Sequence, residues 1–346
     1  MTDPLLVLAW LVLAHLVADF LLQTGSIVRA KAAHGSRALV GLVAHGIVVA
    51  ACLIPVGLAF GGPGWLFVLV TALLHVGIDR TKVVLTRQAA ARALEAAHRR
   101  HEGPQPADHL GRAWTPWPAA LFVLDQLAHL AIVAIGWAVF LALSPLQTAW
   151  IDTVDRALGS FDRAVVHGVV SIAVVLGSLA IVNIVAAALF VAILVRPVEQ
   201  SEGEMRWGSR VAPPSNPQAL PAASPGPVRR WTLRVGSIEA ARIVAEPERS
   251  RGPTDAGPDP ATQSRPPTTA RVGATIGVLE RILIVVFVLT GSEAAIGFVV
   301  AAKTLARFRL LDDRDFAEYY LLGTLASVAV AIVTALIARA ALAALL

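Results

Sequence analysis

The chain has 346 residues, of which 56% are hydrophobic and only 15% charged, with a formal net charge of +5. That balance excludes an ordinary soluble domain and predicts a polytopic membrane protein. The single cysteine, Cys52, excludes an intrachain disulfide and a thiolate metal cluster.

In chain order, apolar runs predict membrane helices over 5–23, 38–60, 64–86, 117–143, 165–195 and 318–345. Each is near or above the roughly 20 residues that cross a hydrocarbon core. The opening "MTDP" lacks the basic character of a signal peptide, so the first run reads as a retained helix. Region 274–302 is apolar but broken at Gly291, Ser292 and Glu293, and reads as two short helices, either a re-entrant hairpin or two thin spans. Residues 197–271 are rich in Pro, Ser, Gly and Arg, a composition that cannot bury enough apolar surface to order a core. Within them "RRWTLRVGSIEAARIVAEPE" has an amphipathic character suited to a membrane surface. The expected architecture is therefore all-α: a transmembrane bundle over 1–196, a disordered cytoplasmic linker over 197–271, and C-terminal membrane helices over 272–346.

Lysine and arginine favour the cytoplasmic side of short loops. Residues 24–37 carry Arg29, Lys31 and Arg37 with no acid, and 87–116 carry five arginines against Glu95, Glu102 and Asp108, whereas 144–163 carry Asp152, Asp155 and Asp162 against two arginines. With the first two loops inside, the N-terminus and C-terminus face out and the linker is cytoplasmic. The basic balance makes membrane lipids the expected partner. No nucleic-acid-binding motif accompanies it, so nucleic acid is not expected. There is also no phosphate-binding G-x-x-x-x-G-K-[ST] loop and no G-x-S-x-G elbow.

The chemistry concentrates in helices 1 to 4. "HLVADFLLQ" holds His15 and Asp19 four residues apart, "LLHVGIDRTK" holds His75 and Asp79, and "VLDQLAHLA" holds Asp125 and His129; "GLVAHGIVV" adds His45. Residues i and i+4 share a helix face, close enough to grip one ion or each other. In the topology above, His15, His45, Asp79 and Asp125 lie at about the same depth, on the order of 10–14 Å from the cytoplasmic ends of their helices. An ionised group at membrane depth costs at least about 2.5–3.5 kcal/mol, so such groups face partners or a cavity. Imidazole and carboxylate together suit a divalent Zn, Mn or Fe ion. The seven candidate metal ligands are His15, Asp19, His45, His75, Asp79, Asp125 and His129, enough for two metals or for one metal whose imidazoles the remaining carboxylates orient. Interhelical packing pairs and a proton relay use the same residue types.

Beside a metal-bound water, Asp19 or Asp125 would act as general base in a hydrolase acting on a lipid or other amphiphile. Gln23, Lys31, Lys82 and Gln126 are the candidate substrate contacts, with Gln23 and Lys31 also suited to anchoring at the interface and Lys82 to snorkelling. An ion- or proton-coupled transporter is the alternative, with 274–302 as its re-entrant element.

These residues resemble the DUF3307 family of bacterial membrane proteins, whose function is unknown. The resemblance rests on "HLVADFLLQ", Lys31, His45, "HVGIDRTK" and "DQLAH", and covers about 1–140. It implies a multi-pass protein of a bacterial cytoplasmic membrane and implies no reaction. "IGVLERILI", "AAKTLARF" and "FAEYYLLGTLAS" look like a C-terminal extension found in longer members.

Overall fold

The computed structural model describes residues 3–100, 114–196, 229–235, 238–245, 267–312 and 314–346. Helix α1 (Pro4–Leu16) begins where the Asp3 carboxylate accepts from Leu5 N at 2.8 Å, with proline at its first position. It passes directly into a π turn, Val17–Leu21, before the short α2 (Gly25–Lys31), capped by Thr24. Then come α3 (Ser36–Phe60), α4 (Gly62–Arg100) and α5 (Trp117–Gly136), which continues as a π turn to Leu141. Helix α6 (Thr148–Leu158) precedes α7 (Arg163–Ile181), a third π turn (Val182–Ala186) and α8 (Ala187–Leu194). The C-terminal helices are α9 (Pro267–Leu289), α10 (Ala295–Ala306) and α11 (Arg314–Leu345).

Among the described residues, six helical stretches are long and apolar enough to cross a membrane: Pro4–Leu21, Ser36–Phe60, Gly62–Ala96, Trp117–Leu141, Arg163–Leu194 and Phe316–Leu345. The chain is a multi-pass membrane protein built as a helical bundle. Its outer surface is apolar, with Leu39, Val40, Ile47, Leu73 and Val139 each more than half exposed, while its buried positions include histidines, aspartates and a lysine. That inversion is what lipid as solvent favours.

Several expectations change in detail. The basic stretch after 86 is helical up to Arg100, because nothing between Thr86 and Arg100 breaks a helix. The acidic 144–163 loop contains α6, held to the end of α3 by Gln147 N donating to Ala59 O at 2.8 Å. Region 274–302 breaks where expected, between α9 (Pro267–Leu289), which begins earlier than expected and has 23 residues, and the returning α10, which with 12 is too short to span. Gly291, at φ +71°, makes the reversal between them.

Helices α3, α4 and α5 pack side by side, with α2 laid against α3; α1 and α11 pack on α7, and α9 on α11. One apolar core joins Leu11, Val49, Leu53, Phe67 and Val133; smaller ones join Val175 with Ala338, and Ile284 and Val288 with Ala331 and Ala335. Gly41 sets the closest approach: a Cβ there would lie 2.5 Å from Lys31 N and 2.7 Å from Ala30 C, both backbone atoms. Gly41→Leu therefore forces α2 off α3. A loss of about 1–3 kcal/mol or more is expected, read as a lower unfolding temperature in detergent than for Gly77→Leu, where a Cβ meets nothing within 4 Å.

A second compact unit comprises 204–266. Its described part is an antiparallel hairpin, β1 (Arg229–Val235) paired with β2 (Ile238–Ala245), Trp231 opposite Ile243, with a bulge at Leu233/Arg234. The amphipathic piece of the linker is thus β-paired. The disorder expected for the rest of 197–266 falls on residues outside the described ones, and 267–271 belong to α9.

Candidate metal centre

The π turn carries Asp19, α3 carries His45, α4 carries His75, Asp79 and Lys82, and α5 carries Asp125, Gln126 and His129. A π turn adds a residue to one helical loop and re-aims the side chains that follow, a device frequent at functional sites. Here it aims Asp19 at α3 and α4. His45 Nε2 lies 3.1 Å from Asp19 Oδ1 and 3.0 Å from His75 Nε2, and His75 Nε2 lies 3.1 Å from the same Asp19 oxygen. The three atoms form a nearly equilateral triangle from three chain segments.

Hydrogen bonds alone serve this triangle poorly. An imidazole nitrogen is either donor or acceptor. If both histidines donate to Asp19, their N–H groups confront each other across 3.0 Å; if one donates to the other, only one is left for Asp19. A cation satisfies all three contacts together. Bonds of about 2.0–2.1 Å to one ion set its ligand atoms roughly 2.9–3.4 Å apart, from octahedral to tetrahedral geometry.

The remaining acids are already neutralised. Asp79 Oδ2 pairs with the buried Lys31, and lies 3.6 Å from His45 Nε2 and 3.9 Å from His75 Nε2. Asp125 Oδ2 pairs with Lys82 at 2.7 Å and accepts from Gln126 at 3.1 Å. Asp19 meets no lysine or arginine among the described residues; its other oxygen accepts only from Gln126, at 3.3 Å. Asp19 is the acid whose charge needs a proton or a metal.

His129 stacks on His75 at 3.9 Å between centroids, and His15 stands 5.3 Å from His129 and 5.6 Å from His75. Four buried atoms of this group have no hydrogen-bond partner: His15 Nε2, His45 Nδ1, Asp125 Oδ1 and His129 Nδ1. Ligand atoms of Asp79, Asp125 and His129, and of His15, Asp19 and His75, also come within 4.8 Å of one another. The structure thus brings all seven candidate ligands into one cluster, tightest at Asp19, His45 and His75.

Lys31 is 7% exposed, inside the cluster, and Gln23 joins it: with the amide nitrogen donating to Asp19 O at 3.1 Å, its oxygen accepts from Lys31 Nζ at 2.6 Å. Lys82 does not simply snorkel; its ammonium pairs with Asp125 and lies 5.0 Å from the Phe122 ring centroid. Arg87 holds the end of α2 by donating to Ala32 O and Ala33 O at 2.5 and 2.8 Å.

Residues 7–159 match the model of a family described as a protein of unknown function, DUF3307. Over this region the chain is similar to the DUF3307 family. The match runs past 140 to take in α6 and ends before α7. No curated protein and no solved structure matches the chain. The whole His/Asp cluster, with Lys31 and Lys82, lies inside the DUF3307 region; Asn183, Arg281 and the polar groups of α9–α11 lie outside it.

Proposed function

We propose that the DUF3307 region is a membrane-embedded metal hydrolase of a bacterial cytoplasmic membrane, with its centre near the cytoplasmic leaflet. The observation that carries it is the Asp19, His45 and His75 triangle, with edges of 3.0–3.1 Å around the one acid that no lysine neutralises. Asp19, His45 and His75 would hold a zinc, manganese or iron ion, which would supply an activated water. Asp125, with Oδ1 buried and unpartnered, is the general base. The water oxygen bonds to the acyl carbon or phosphorus, the ester bond breaks, and the proton taken by Asp125 passes to the leaving alkoxide. Lys82, whose side chain is 29% exposed, and Gln126 face an anionic amphiphile entering from the lipid side. The Lys and Arg asymmetry of the loops supports the leaflet.

Metal-loaded protein incubated with bacterial lipid extract should release a fatty acid or a dephosphorylated lipid, followed by mass spectrometry. Asp125→Asn should lower the rate by about 100-fold or more while keeping the metal. An unchanged lipid profile with fully metallated protein removes the hydrolase reading.

A further inference from the structure

Helix α9 places Gly273, Gly277 and Arg281 at four-residue intervals, on one face. Arg281 is 4% exposed, and its guanidinium is held by neutral oxygens: Nε donates to Asn183 O at 2.6 Å and Nη1 to Ser327 Oγ at 3.0 Å. Asn183 belongs to the π turn Val182–Ala186, so an irregular stretch of backbone supplies that carbonyl. The adjacent Glu280 is bonded to Lys303 at 2.5 Å, and no other described carboxylate lies within ion-pair distance of Arg281. Arginine charge at membrane depth is costly and is normally matched by a partner.

A second guanidinium approaches the same glycine face. A Cβ on Gly277 would lie 3.6 Å from Arg281 Nη1, and one on Gly273 would lie 3.7 Å from Arg307 Nη2. Both guanidinium groups therefore border the same glycine face of α9. Two like charges at one face repel unless an anion with several acceptor oxygens joins them, and phosphate is the anion that guanidinium forks fit. Tyr320 adds a donor: its hydroxyl is buried without a partner, and its ring lies 5.9 Å from Arg307 and 5.6 Å from Lys303. With Glu280 cancelling Lys303, the two arginines leave a local excess of positive charge; Glu318 is exposed and has contacts of its own. Beside these groups Leu305, Phe308, Leu321 and Leu325 are 56–77% exposed, an apolar surface for acyl chains.

We infer that Arg281, Arg307 and Tyr320 form a binding site for the phosphate of an anionic phospholipid, separate from the His/Asp cluster. The full chain in mild detergent, offered phosphatidylglycerol and phosphatidylcholine in equal amounts, should retain the anionic lipid in native mass spectrometry by about fivefold or more, as roughly 1 kcal/mol per basic residue implies. Arg307→Gln removes a half-buried side chain, leaves the Arg281 contacts intact, and should abolish the preference, while Arg307→Lys keeps part of it. Tyr320→Phe should weaken it at unchanged thermal stability. Equal retention of the two lipids, or a preference untouched by Arg307→Gln, overturns the site. Full displacement of the lipid by millimolar inorganic phosphate keeps the phosphate site and overturns a lipid as its source.

Discussion

Protein purified without chelator should carry about one equivalent of zinc, manganese or iron per chain, and His45→Ala or His75→Ala should reduce it below about a tenth. Outer-sphere partners of a metal site alone typically change affinity by about 10–100-fold, so loss of a ligand from a three-residue set should exceed that. Asp19→Asn belongs with the two histidines, because it removes the only carboxylate of the triangle. His129→Ala is the discriminating variant: its Nδ1 stands 3.8 Å from Asp125 Oδ2 and its ring stacks on His75 without entering the triangle. One metal should therefore survive in it. Elemental analysis of the four variants reads the ligand set directly. Absence of metal from the parent protein after growth with all three ions rejects the centre, and equal loss in His129→Ala reassigns it.

Lys31→Met should be among the most destabilising single changes in the chain. The Lys31–Asp79 pair is buried on both sides, with side chains 9% and 4% exposed. Removing one partner of such a pair costs about 3–5 kcal/mol, because the other charge stays buried without compensation. The double change Lys31→Met with Asp79→Asn removes the stranded charge and should recover a substantial part of the loss. Unfolding of both variants in detergent, followed by circular dichroism or by a thermal assay, measures the difference. A double variant no more stable than Lys31→Met would mean that Lys31 acts by packing, without a charge partnership.

The spans were legible because about 20 apolar residues in a row have few alternatives to crossing a bilayer. Helix α6 was not, since Thr148–Leu158 is short and charged enough to read as loop until its tie to Ala59 O is seen. Within the cluster, residue types were readable and pairings were not. Four-residue spacing suggested that His75 would engage Asp79, and His129 would engage Asp125, yet those pairs stand at 3.9 and 3.8 Å. Side chains one turn apart on a helix extend nearly side by side, whereas side chains from facing helices meet end to end. The shorter contacts are therefore between segments: Asp19 with His45 and His75, Lys31 with Asp79, Lys82 with Asp125. The Lys31 partner was unreadable for the same reason; the close approach of α2 to α3 that Gly41 permits is what brings the last residue of α2 to Asp79 on α4. The π turn at Val17–Leu21 has no composition that announces it.

Helices α3 and α4 meet at Gly61, which turns the chain with φ +63°. His45 and His75 are thus the facing rungs of a single hairpin, already 3.0 Å apart before any other segment is considered. If that hairpin is inserted as one unit, each imidazole meets its counterpart without help from the rest of the bundle. Asp79 on the same hairpin and Lys31 just ahead of it emerge within the same stretch of chain. Each charged residue would separately oppose insertion by about 2.5–3.5 kcal/mol. Delivered as a matched set, they would enter the bilayer largely neutralised, leaving Asp19 from the preceding helix to close the ring.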